Sequence, residues 1–303
     1  MGMERDIARV IREQGPLTGS ELLETIHADM FLVWRHCMLS RDLSIQTIGP
    51  RYLRLDRRIE GFARLSPSIL REFLTYSVIG LAEDPDATFQ RGGEIRLHIE
   101  QVTRSKSELA YGIFSAVADR LENRDLLGRH ACIMIAGDVV YNMAHDVPRP
   151  ERSTHKLVRG SDMDIVVVVD DLFPKDVMEE LDAMIYAEKQ SLLMTPHLRE
   201  EIDYVVKDMA RVREQIRFDT FKHMVACKIL DEGALLYGSE DLFCTIKELL
   251  RGKGITQRLN TLENQARLFR REAEEYLLSA DPQKIREEYQ YLFYPAEESE
   301  EFE

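Results

Sequence analysis

At 303 residues the chain is long enough for two domains or one large one, and its 44% hydrophobic content is that of an ordinary globular protein. With 54 acids against 40 bases the formal charge is −14, so the field of the whole molecule repels polyanions and bulk nucleic-acid binding is not implied. Cys37, Cys132, Cys227 and Cys244 show no paired metal spacing, and three sit in apolar surroundings, which reads as reduced core thiols. No stretch reaches the length of a membrane span, and Glu4 and Asp6 stand where a signal peptide would be basic, so a soluble, cytoplasmic protein is expected.

Apolar positions Ile7, Val10 and Ile11 recur at helical spacing within residues 3–13, ahead of a break at Gly15-Pro16. Thr18 and Ser20 can cap a short helix over 21–26, and residues 29–39 present a broad apolar face through Met30, Phe31, Val33, Trp34, Cys37 and Met38. Two runs, 44–48 and 51–55, read as a hairpin turning at Gly49-Pro50. Three short helices followed by a small ribbon resemble a winged helix-turn-helix, whose third helix enters the major groove when the domain reads DNA. Arg35 is the one firm base on that helix, while Arg51, Arg54, Arg57 and Arg58 cluster on and just beyond the wing, where phosphates could be met. A protein-docking or dimerisation use stands level with DNA reading, because fold does not dictate use.

Residues 66–81 read as an amphipathic helix, and 82–93, with Pro85, Gly92 and Gly93, as a loop that closes a first domain over 1–82. Residues 94–102 alternate weakly, as a strand or the start of a linker helix, and 107–121 are helical. Strands are expected at 131–136, 202–206 and 234–239, with helices at 175–193 and 209–230, the latter closed by Gly233. These make a second domain, 94–250. Helices over 257–278 and 282–293 form a C-terminal segment, 255–295, whose apolar stripe (Leu259, Leu262, Ala266, Phe269) suits packing on that domain or on a second copy in a homodimer. Residues 296–303 are an acidic tail. The expected fold class is α+β.

Chemistry concentrates between Ala131 and Asp171. Gly160-Ser161-Asp162-Met163-Asp164 opens onto the apolar run Ile165 to Val169, which reads as a strand buried on both faces. Side chains two apart on an extended backbone point the same way, so Asp162 and Asp164 project together, an arrangement suited to a divalent cation with hard oxygen ligands. An Asp-x-Asp pair in isolation is most often a solvated strand start; the buried valine run is what fixes these two carboxylates in place.

Ala136-Gly137-Asp138 after a strand, a spacer, the Asp162/Asp164 pair flanked by apolar residues, and Asp203 on a later strand together resemble the nucleotidyltransferases of the DNA polymerase β type. The resemblance covers roughly the middle half of the chain and implies a central mixed sheet with flanking helices. It further implies Mg2+ (or Mn2+) held by Asp162, Asp164 and Asp203, with Asp203 helping to remove the acceptor's proton. A nucleoside triphosphate would lie against Gly137, Asp138, Gly160 and Ser161, with Lys222 and Lys228 as second candidates for its phosphates. Asp138 departs from the small Gly or Ser usual at that place, and the long spacer implies an inserted loop. That loop carries Arg149, Arg152, His155, Lys156 and Arg159, a basic density that reads as a lid over phosphate or as a plain solvated loop.

The activity implied is transfer of a nucleoside monophosphate to an acceptor hydroxyl on RNA, protein or a small molecule. The alternative is a DNA-binding regulator or interaction protein whose transferase domain has lost turnover. Dinucleotide and Walker loops, zinc-protease helices and serine elbows are all missing from the sequence, and Arg251-Gly252-Lys253-Gly254 reads as a helix stop.

Overall fold

The computed structural model describes residues 2–151 and 156–293; Arg152, His155 and the expected acidic tail lie outside the described residues. The fold is mixed α+β. Two compact units divide it, one of residues up to His98 together with those from Leu262 onward, the other of Ile99–Thr261.

The first unit begins with helix α1 (Gly2–Gln14), a two-residue strand β1 (Leu17–Thr18), and helices α2 (Gly19–Ile26) and α3 (Met30–Leu39). Thr18 starts α2 through a reciprocal box: its hydroxyl accepts from the Glu21 amide at 3.3 Å, and its own amide donates to the Glu21 carboxylate at 2.8 Å. Strands β2 (Leu43–Thr47), β3 (Tyr52–Leu55) and β4 (Ala63–Ser66), helix α4 (Ile69–Thr75), strand β5 (Ser77–Leu81) and the start of helix α5 (Pro85–Arg120) follow.

Three expectations are corrected here. The hairpin over 44–55 does not form: β2 pairs antiparallel with β5, from Leu43 opposite Leu81 to Thr47 opposite Ser77, and β3 pairs with β4. The helix expected over 66–81 stops at Thr75, because Val78 and Ile79, both fully buried, form the central strand of a sheet ordered β1-β5-β2. This strand is buried from Ser77 to Gly80 instead of alternating in and out, which hides it inside a helical pattern. The loop expected over 82–93 is instead the start of α5. Asp84 caps it, accepting from the Ala87 amide at 3.2 Å, and Pro85 occupies the first helical position, where its missing N–H costs nothing. Gly92 is a packing residue there, since a Cβ would sit 2.4 Å from the Gln46 side chain of β2.

In the second unit α5 continues and is followed by α6 (Arg124–His130), β6 (Ala131–Ala136), a 3-10 turn over Gly137–Val139, a ribbon of β7 (Pro148–Pro150) and β8 (Leu157–Arg159), and β9 (Met163–Val169). Next come α7 (Lys175–Met194), β10 (Ile202–Asp208), α8 (Met209–Gln215), α9 (Phe221–Glu232), β11 (Ala234–Gly238), α10 (Glu240–Gly252) and α11 (Ile255–Ser279). The single helix expected over 209–230 is two, because Thr220 caps a new start by accepting from the His223 amide at 3.2 Å. The sheet runs β10-β9-β6-β11, with β9 parallel to β10 and antiparallel to β6. One face of β9 (Met163, Ile165, Val167, Val169) packs on Phe114, Val117 and Ala118 of α5 and on Leu181 and Ile185 of α7.

Beyond Thr261 the chain rejoins the first unit. Ala273 and Leu277 of α11, then Ile285 and Phe293 past the short α12 (Pro282–Lys284), enter the core formed by Ile7, Ile11, Phe31, Trp34 and Ile79. The helix expected over 282–293 is broken into α, π and 3-10 turns. Phe293 is fully buried, its ring 5.4 Å from Phe31 and 5.2 Å from Trp34. Ala280 accepts from Arg35 at 2.7 Å, and Arg286 pairs with Asp29 at 3.2 Å. The segment therefore packs on α3 of its own first unit.

Candidate metal centre

All seven residues of β9 are buried, which pins the strand between β10 and β6. Asp164 lies opposite Asp203 on β10 and Ala136 on β6, and Asp162 stands just ahead of β9. The register does the rest: one oxygen from each of Asp162, Asp164 and Asp203 falls within 4.8 Å of the others. Bringing two carboxylates that close costs roughly 3–4 kcal/mol at an effective dielectric of 20, less for the half-exposed Asp162. Each buried Val or Ile of β9 contributes roughly 1.5–3 kcal/mol, so the strand's apolar body can hold the acids together. Hard oxygens from three acids fit Mg2+ or Mn2+, which take one or two carboxylates and leave positions for water or phosphate.

Gly137 is what lets Asp164 reach the cluster. It adopts φ +66°, and a Cβ there would lie 1.9 Å from the Asp164 Oδ2. Gly160 is equally constrained, at φ +58° with a Cβ that would strike the His145 carbonyl at 1.8 Å. Ser161 stitches the two turns together: its amide donates to the His145 carbonyl at 3.0 Å, its hydroxyl donates to Asp138 at 2.5 Å, and it accepts from the His145 amide at 3.2 Å. An open polar hollow of about 340 Å³ lies against the same turn, lined by Thr103, Arg104, Ser107 and Glu108 of α5 and by Val139 and Asn142.

Of the basic residues expected around phosphate, Arg149 meets the acids directly. From β7 its Nε donates to the Gly160 carbonyl at 2.7 Å, and Nη2 lies 2.8 Å from Glu201 and 3.4 Å from Asp162. Burial works against its charge, but Asp162 and Glu201 outweigh burial and raise its pKa. Burial pushes the Glu201 carboxyl up, with Asp162 adding to the effect and Arg149 opposing it. Lys156 donates to the Met194 sulfur at 2.8 Å, and Arg159 faces Glu200, which also pairs with the buried Lys106. Lys222 is exposed in the first turn of α9. Lys228 is buried and pairs with Glu232 at 2.8 Å.

Four contributors were not singled out from the sequence. Glu232 accepts from the Gly137 amide at 3.3 Å and from the Tyr141 hydroxyl at 2.6 Å, tying α9 to the turn beside Asp164. Lys189 of α7 lies 3.5 Å from Asp203. Glu201 anchors Arg149. Its signal was available, since it precedes Asp203 by two, the same alternation that paired Asp162 with Asp164. Lys228 and Glu232 are four apart on one helix, a spacing that places them together, but nothing local aims either at Gly137.

In comparisons with known proteins the chain matches no family model, no curated protein and no solved structure. No helix among the described residues is long and apolar enough to cross a membrane.

Proposed function

We propose that this chain is a divalent-metal-dependent nucleotidyltransferase of the DNA polymerase β type, moving a nucleoside monophosphate from a nucleoside triphosphate onto an acceptor hydroxyl. The observation that carries the reading is the convergence of Asp164 and Asp203, from two adjacent parallel strands, with Asp162 just ahead of β9, to within 4.8 Å of one another. Mg2+ or Mn2+, when bound, stabilises negative charge on the attacking and leaving oxygens of an in-line displacement. Asp162, Asp164 and Asp203 would hold the ions. Asp203 orients the acceptor hydroxyl and its carboxylate takes the hydroxyl's proton.

The test is calorimetric titration of each nucleoside triphosphate with Mg2+ or Mn2+ into wild type and Asp164→Asn, followed by pyrophosphate release with candidate acceptors. Binding in wild type that Asp164→Asn abolishes supports the reading; equal binding by both sinks it.

One observation favours a second reading, a regulator or interaction protein with a silent transferase domain. The Gly137 amide and the Ser161 hydroxyl, two donors suited to phosphate, are both directed at carboxylates, Glu232 and Asp138. Metal binding without triphosphate binding would select this alternative.

The first unit reads as a winged helix-turn-helix variant, its wing strands β2 and β5 separated by residues 48–76. The covering of Phe31, Trp34 and Arg35 on α3 by residues 280–293 favours a structural or protein-docking use over groove reading. Arg51, expected near phosphate, is bound to Glu72 at 2.6 Å.

A further inference from the structure

Arg149 holds a position that a divalent cation would contest. Its guanidinium has a deep anchor and a shallow arm. The anchor is the Gly160 carbonyl at 2.7 Å and the Glu201 carboxylate at 2.8 Å, the latter only 9% exposed; the arm reaches Asp162, 39% exposed, at 3.4 Å. A guanidinium carries its charge at every accessible pH, so no change of protonation can relieve a conflict with an incoming ion. Two cations sharing one carboxylate repel, and the weaker contact gives way. That contact is the one to Asp162, because releasing Glu201 would leave a buried carboxylate without its cation.

Resting on the metal-cage reading above, we propose that Arg149 is the resident counter-ion of Asp162 in the acid cage and changes partner as the cage fills. Without a divalent ion it neutralises Asp162 and eases the repulsion among the three aspartates. With one present it keeps Glu201 and the Gly160 carbonyl, yields Asp162 to the ion, and presents the outer N–H edge of its guanidinium to a phosphate oxygen of the polyphosphate that accompanies the ion. A planar guanidinium suits that second partner, which it can meet with two parallel N–H groups. Lys156 and Arg159, directed to Met194 and Glu200, take no part.

The two roles have opposite signs, which makes the proposal testable on the full chain. Mn2+ alone, and inorganic tripolyphosphate in saturating Mn2+, are titrated calorimetrically into wild type, Arg149→Gln and Arg149→Lys, with Asp164→Asn as the empty-cage baseline and a thermal melt for each. Arg149→Gln is expected to bind Mn2+ roughly three- to tenfold more tightly and tripolyphosphate roughly tenfold more weakly. Arg149→Lys, which keeps the charge, stays near wild type for Mn2+. Unchanged or weaker Mn2+ binding by Arg149→Gln overturns the proposal, as does tripolyphosphate binding that ignores the substitution. If folded wild type binds no more Mn2+ than Asp164→Asn, the cage reading fails and the proposal with it, an outcome distinct from the first two.

Discussion

A methyl group at position 137 would land 1.9 Å from the Asp164 Oδ2 on a backbone already at φ +66°. Gly137→Ala is therefore expected to push Asp164 out of the cluster and lower Mn2+ affinity by about tenfold or more, while the apolar body of β9 keeps the fold; calorimetry and a thermal melt check both halves. A second residue carries a pH signature. Lys207, on the same face of β10 as Asp203, is buried against Gln215, and burial pulls its pKa down from 10.5 to about 8. A depressed folded pKa contributes stability above 10.5 that is lost as pH falls through about 8. Wild type should gain on the order of 2–3 kcal/mol in urea unfolding between pH 8 and 10.5, and Lys207→Met should lack that rise. At this scale the three aspartates were legible because two-residue alternation and a buried strand fix where carboxylates point. Glu232 and Tyr141 were not, because the meeting of Glu232 with Tyr141 and the Gly137 amide depends on how α9 returns to β6.

Between elements, partners distant in sequence decide what a local pattern leaves open. Val78 and Ile79 fit a helical pattern as well as a strand, and pairing with β1 and β2, both more than thirty residues earlier along the chain, decides the matter. Asp84-Pro85 serves as a turn signal and as a helix start, and the 36 residues of α5 show that the second use won. The core strands of the second unit were readable because each is a short apolar run between clear breaks. The destination of residues 280–293 was not, since an apolar stripe does not name its partner. Phe293 is fully buried beside Phe31 and Trp34, so Phe293→Ala should destabilise the first unit by about 3–5 kcal/mol, visible as a lower urea midpoint, with Mn2+ affinity unchanged.

For the whole molecule, the cluster of acids is a cost that a bound cation would convert into a gain. A chain with a formal charge of −14 already repels itself, and three aspartates within 4.8 Å add to that. Without divalent ions Asp164→Asn should melt at or above the wild-type temperature. With Mn2+ at a hundred times its dissociation constant, wild type should gain about 2.7 kcal/mol and overtake the variant. Wild type that gains nothing would speak against a metal centre.

The burial of Phe293 bears on how the amino-terminal third can be handled in isolation. Any fragment cut short of residue 293 would leave Phe31 and Trp34 facing water, a greasy patch prone to self-association. Gel retardation seen with such a truncate would report stickiness created by the scissors. Only the intact polypeptide can be asked fairly whether it touches DNA.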